Sequence, residues 1–151
     1  MRRNEKEIKD PAALRAVIQQ STVCRIGLSD GHRPYIVPLC FGYEDGFLYF
    51  HAAHEGQKIE IIKKNSCVCF EFDANAEVVE EQQACEWGMR YQSVIGFGTA
   101  VFLDEVEEKR RALEIIMRQY SQRSFSFPEP ALASTTVIKV TIESMTGKQS
   151  G

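Results

Sequence analysis

Three short apolar runs, 23–28, 35–41 and 47–51, are separated only by Ser29-Asp30-Gly31-His32 and by Glu44-Asp45-Gly46. Turn residues so close together leave no room for the long crossover that a parallel pair requires, so the runs are predicted to be antiparallel strands of a meander. The period then changes. Ile59, Ile62 and Lys63 fall at helical spacing over about 56–64, and a β-rich run follows at 67–72, which makes the helix a crossover between sheet strands. Strand character returns at 89–103, where Gly96 and Gly98 lie two apart on one face and indicate a bend or a close backbone approach, as a closing barrel needs. Residues 135–142 supply a sixth strand.

Helices flank this sheet. Asp10-Pro11 pairs a capping residue with a proline at the first helical position, and Leu14, Val17 and Ile18 then form one apolar stripe. The strongest helical pattern covers 104–120, with Asp104 as the N-cap and a face built from Ala112, Leu113, Ile115, Ile116, Gln119 and Tyr120. No repeat, low-complexity tract or Pro/Gly/Ser linker interrupts the chain, so residues 1–151 are read as one domain, mainly β with α-helices at its sides.

The five cysteines, Cys24, Cys40, Cys67, Cys69 and Cys85, are odd in number, and a chain of this length buries enough surface to fold without staples. Cys40, Cys67 and Cys69 sit in apolar runs and read as small hydrophobes in a reducing, cytoplasmic compartment. Cys67 and Cys69 are spaced too closely for the usual Cys-x2-Cys zinc pair, and strand alternation predicts that both point into the core; no metal site is expected. A net charge of −3 with scattered basic residues gives no footprint for nucleic acid. The first residues lead into no apolar segment, and no run approaches the ~18 residues of a membrane span, so neither export nor membrane association is expected.

The stretch 51–58 carries the chemistry. A buried strand ends at His51 in the small residues Ala52 and Ala53, turns at Gly56 and enters a helix with Lys58 near its start. Free N–H groups and the positive helix end would converge there with one ammonium group, an arrangement suited to a phosphate. A capped surface turn with a solvated lysine is the other reading of the same residues. His51 is either a proton donor beside that site or a hydrogen-bonded packing residue, while His32 and His54 read as loop surface. No serine, histidine and carboxylate set assembles by spacing, and Cys85 has no activating neighbour, which disfavours hydrolase chemistry.

The run Ile36-Val37-Pro38-Leu39-Cys40-Phe41-Gly42-Tyr43, then Leu48-Tyr49-Phe50-His51-Ala52-Ala53 with Gly56 and Lys58, then Met89-Arg90-Tyr91-Gln92-Ser93-Val94-Ile95-Gly96-Phe97-Gly98 is collinear with a known pattern. It resembles the pyridoxamine-phosphate-oxidase-like flavoproteins, and within them the nitroimidazole-resistance proteins. The resemblance implies a six-stranded antiparallel split β-barrel that pairs as a homodimer, with one FMN in each of two clefts lined by both subunits. It places Val37, Pro38, Leu39 and Cys40 along the isoalloxazine edge. The backbone of His51, Ala52 and Ala53, with the Lys58 side chain, would hold the phosphate. Arg90 and Ser93 would reach the cofactor from the partner subunit or give a second anion contact, with a surface salt bridge as the competing role for Arg90. Gln57 departs from the arginine many oxidases carry, removing one charge-assisted contact. The oxidase's arginine-bearing C-terminal segment is missing after Thr135, so reduction of nitro groups or other small electron acceptors, with His51 as proton donor, is expected instead. Two alternatives remain: a non-catalytic binder of flavin, deazaflavin or haem, with His51 or His54 as axial ligand, and a dimeric scaffold without cofactor.

Overall fold

A computed structural model describes residues 4–151. After a short 3-10 turn and strand β1 (Glu7–Ile8), helix α1 (Pro11–Gln20) begins where the sequence placed it. The Asp10 carboxylate accepts the Ala12 N–H, and Leu14, Val17 and Ile18 are buried. The rest of the sheet comprises β2 (Cys24–Ser29), β3 (Pro34–Leu39), β4 (Gly42–Glu44), β5 (Phe47–Ala52), β6 (Cys67–Val79), β7 (Gly88–Leu103) and β8 (Thr136–Ser150). Helix α2 (Gln57–Lys64) follows β5, while α3 (Val106–Tyr120) and α4 (Glu129–Ala133) lie between β7 and β8.

All pairings are antiparallel, in the order β3-β2-β6-β7-β8-β5-β4 with β1 added to β8. The sheet thus has eight strands, not six: the six expected are the long ones, and β1 and β4 are short additions. The three-strand meander does not form either. β2–β3 is a hairpin at one end of the order and β4–β5, closed at Asp45 and Gly46, is a hairpin at the other, because the chain leaves the sheet at Cys40 and Phe41 between them. α2 does cross over, from β5 to β6.

Two strands outrun their apolar patterns. β6 passes Phe72 to Val79 and β8 passes Ile142 to Ser150, and both extensions pair with β7. Their polar composition reflects position: beyond Ala74 the β6–β7 ribbon stands clear of the core, and residues 75–78 and 80–90 are exposed. The core is filled by Phe41, Phe50, Phe70 and Phe72 with the aliphatic residues of α1, α2 and β2, and a second cluster of Tyr49, Ala112, Ile115, Ile116 and Val137 lies under α3.

Two smaller expectations are corrected. Glu105, not Asp104, is the N-cap of α3, and no side chain bonds to the helix there. Cys67 is exposed and Cys69 half-buried, because the larger Val68, Phe70 and Phe72 take the inner face of β6 and strand alternation turns the cysteines outward. Cys40 is also exposed, just past the end of β3. The cysteine that packs as a hydrophobe is Cys24, whose thiol burial pushes far up.

Tyr120 ties α3 to the sheet. Its hydroxyl accepts the Phe41 N–H at 2.9 Å and donates to the Thr22 carbonyl at 3.0 Å. Burial pushes this phenol up to about 12 from 10, so the fold favours its protonated form. That stabilisation is present below pH 10 and is lost as pH rises through 12. Tyr120→Phe leaves a backbone donor and acceptor without partners and is expected to lower stability by about 1–3 kcal/mol, read as a shift of the urea midpoint. It should also reduce the wild-type protein's loss of stability above pH 10, leaving the part that comes from the buried Cys24 thiol and Tyr49.

Candidate functional site: the corner between β5 and α2

β5 distributes its side chains to two interiors. Leu48 and Phe50 enter the main core opposite Val140 and Ile138. Tyr49 belongs to the cluster under α3, and His51, level with buried Val137, turns to that same side. His51 is exposed and borders a recess of about 270 Å³ against α3, Phe127 and α4. Neither ring nitrogen has a hydrogen-bond partner among the described residues, so the packing reading of His51 finds no bond to support it.

Ala52 closes the strand opposite Thr136 and Ala53 is exposed. The chain then turns through Gly56, whose φ of 137° is available to glycine at little cost. A Cβ added there would meet nothing within 4 Å, so the space above the turn is open. Gly56 is the N-cap of α2 and no side chain caps the helix, in contrast to Asp10 on α1. The Ile59 and Glu60 N–H groups bond to the Gly56 carbonyl at 3.0 and 3.1 Å, which leaves those of Gln57 and Lys58 without a protein acceptor among the described residues. Lys58 is half-buried beside them and forms no ion pair among the described residues, whereas Lys63 of the same helix pairs with Glu60. Open space, free donors and one unpaired ammonium group fit the dianionic end of a nucleotide. His54 is exposed in the turn and its Nδ1 is 2.8 Å from Thr136 Oγ1.

β3 carries the second group of candidates. Val37 and Leu39 pack half-buried against the core, while Pro38 and Cys40 are exposed on a strand with one free edge. The Asn65 side chain donates to the Ser29 carbonyl and fastens the end of α2 to the β2–β3 hairpin, so the two groups are borne by neighbouring elements.

Arg90 and Ser93 do not join this corner within one chain. Three residues apart on a regular strand, they face opposite sides of β7. Arg90 lies across from Glu77 and bonds its carboxylate at 3.1 Å. Ser93 is ten residues from Leu103, which adjoins His54 and Lys63; that is about 30 Å of strand. Within one subunit neither residue is paired with or bonded to the elements of this corner.

Sequence reasoning missed the recess at His51, walled by Leu113, Met117, Phe127 and Leu132. Its one legible sign was Pro128 with Pro130, at the N-cap and in the first turn of a helix too short to show a period. It also missed an apolar outer face. The strand register sets Ile36, Gly27, Cys69 and Phe97 in one row across four strands, with Ile36 68% and Phe97 57% exposed. Ile95 and Val101 on β7 and the cross-strand pair Val78 and Met89 extend this face along the ribbon.

Residues 10–149 match the sequence profile of the pyridoxamine 5'-phosphate oxidase family. The structure is similar to that of a protein from Bacteroides thetaiotaomicron VPI-5482 described as a "putative 5-nitroimidazole antibiotic resistance protein". The two share 40% identity and a TM-score of 0.86, over 94% of this chain and 85% of the other. The flavocytochrome Anf3 of Azotobacter vinelandii also superposes at 0.86, with 16% identity over all of this chain and 72% of its own. An FAD and heme binding protein of Mycobacterium smegmatis does so at 18% identity, over 96% and 73%. These two share the fold. No curated protein is detectably similar in sequence. Among the described residues no helix is long and apolar enough to cross a membrane.

Proposed function

Because this chain belongs to the pyridoxamine 5'-phosphate oxidase family, we propose that it binds FMN at the corner between β5 and α2 and uses it to reduce nitroimidazole-like or other small electron acceptors. What carries the reading is the uncapped start of α2, where open space, unbonded N–H groups and the unpaired Lys58 meet. The 40% identity to a protein described as a nitroimidazole resistance protein supports the class of acceptor.

Bound FMN would supply electrons taken from a donor such as a reduced nicotinamide nucleotide. The residues of the chain hold and orient. The backbone at His51, Ala52 and Ala53, the α2 N-terminus and Lys58 would fix the phosphate, while Val37, Pro38, Leu39 and Cys40 would flank the ring system. Gln57 is exposed and adds no charge. Each electron delivered to a nitro group requires a proton, and the oxygen leaves as water; a ring nitrogen of His51, free of protein partners, would deliver the proton.

The apolar outer face supports a homodimer, since an exposed sheet face of this extent is costly to leave in water. Ser93 shares that face with Ile95 and Phe97 and would reach the partner's cleft, whereas Arg90, on the other side, would first have to leave Glu77.

The test is the visible spectrum after FMN is added. Two broad flavin bands that bleach with the reductant and return on adding a nitroaromatic acceptor are expected; a protein that takes up no FMN, or shows one intense haem band after addition of haem alone, would sink the reading. His51→Ala should keep the flavin bands and slow acceptor reduction about 100-fold or more. An unchanged rate would remove His51 from the chemistry.

A further inference from the structure

The recess behind His51 is separate in character from the phosphate corner. α3 contributes Leu113, Ile116 and Met117 to it, and Phe127 with Ala131 and Leu132 forms the opposite wall. Its remaining lining residues are His51 and Thr135, and the Thr135 hydroxyl already donates to the Ala131 carbonyl at 2.7 Å. The imidazole of His51 is thus the one side-chain hydrogen-bonding group there without a protein partner among the described residues. No charged side chain borders the space, so a charged ligand would find no counter-ion there while its apolar body would still gain contact.

We propose that this recess is a binding site for a small, uncharged, single-ring molecule that stacks its apolar body between α3 and Phe127 and hydrogen-bonds one acceptor or donor atom to His51. The volume, about 270 Å³, lies at the lower end of the ~300–1,000 Å³ of ligand pockets and admits one substituted ring. It does not admit a nucleotide, and no cation is present to receive a phosphate. A second recess, bordered by Arg118, Arg123 and Phe125, shares Met117 and Phe127 with the first, so a charged space and an apolar one adjoin at these side chains. As the seat of the electron acceptor the recess rests on the flavin-dependent reading above; as a binding site it does not.

The experiment titrates flavin-free protein with nitrobenzene while the ring signals of His51 are followed by NMR, with 4-nitrobenzoate as the charged counterpart. Saturable movement of the His51 signals by nitrobenzene is expected, with 4-nitrobenzoate at least tenfold weaker. Ala131→Phe fills the space from the α4 side and should abolish the movement while FMN binds as in the wild type. Leu113→Trp fills it from α3 and gives the same test if the first variant does not fold. Signals that stay still up to the solubility of nitrobenzene, or that move equally in a folded filled variant, would overturn the proposal, and equal affinity for the two compounds would overturn the restriction to uncharged ligands. A wild-type protein that binds nitrobenzene yet never reduces it with reduced FMN keeps the site and sinks the reductase reading. One that reduces it equally well with the recess filled does the reverse.

Discussion

Lys58→Ala is expected to weaken FMN binding about 10- to 100-fold while changing riboflavin binding by less than about twofold. The two flavins differ only in the phosphate, and Lys58 is the one cationic side chain in the first turn of α2, where Glu60 is already paired with Lys63. A charge-assisted hydrogen bond contributes about 1.5–3 kcal/mol, and each 1.4 kcal/mol is tenfold in affinity, which sets the range. Stability should hardly change, since the ammonium group has no carboxylate partner to abandon among the described residues. Flavin fluorescence quenching measures both constants. Equal losses for FMN and riboflavin would show that Lys58 acts on the ring system or on the fold, and the phosphate would have to be placed elsewhere.

Gly96→Ala should cost about 3 kcal/mol or more, or prevent folding. A methyl group at this position of β7 would lie 2.2 Å from the ring of Phe70 and 2.6 Å from the Ser144 carbonyl oxygen. Phe70 is fully buried among Phe72, Val94 and the aliphatic core, so it has no free direction in which to yield. Gly88 begins the same strand, and a Cβ there meets nothing within 4 Å. Gly88→Ala is the matched control and should stay within about 0.5 kcal/mol of the wild type in urea denaturation. Similar losses in the two variants would mean that close approach at Gly96 does not account for the cost.

This second case shows how far local pattern reaches. Gly96 and Gly98 read as a close approach because two glycines on one strand face have few other uses, and both are pressed against β8 where its register shifts. The α1 cap at Asp10 and the stripe of Leu14, Val17 and Ile18 were legible for the same reason, since capping and helical period act within a few residues. The β6 extension was not. Asn75 to Val79 lies on a ribbon clear of the core, so alternation there has no buried face to record. At the candidate site, the turn at Gly56 and the lysine after it could be read directly, because the corner is built from consecutive residues.

What the sequence determined by itself is therefore the set of elements and the one corner made of a continuous stretch, through forces that act over a turn or two of chain. The tertiary structure alone decided that the first two hairpins lie at opposite ends of the sheet order and that Cys67 and Cys69 face outward. It also decided that Arg90 meets Glu77 across the β6–β7 ribbon and that His51 borders a recess whose wall includes Leu132, eighty-one positions later in the chain. Period tells a side chain that it faces an interior; which interior it faces follows from strand pairing between distant segments, where the bulk of residues such as Phe70 and Phe72 settles the competition for buried space.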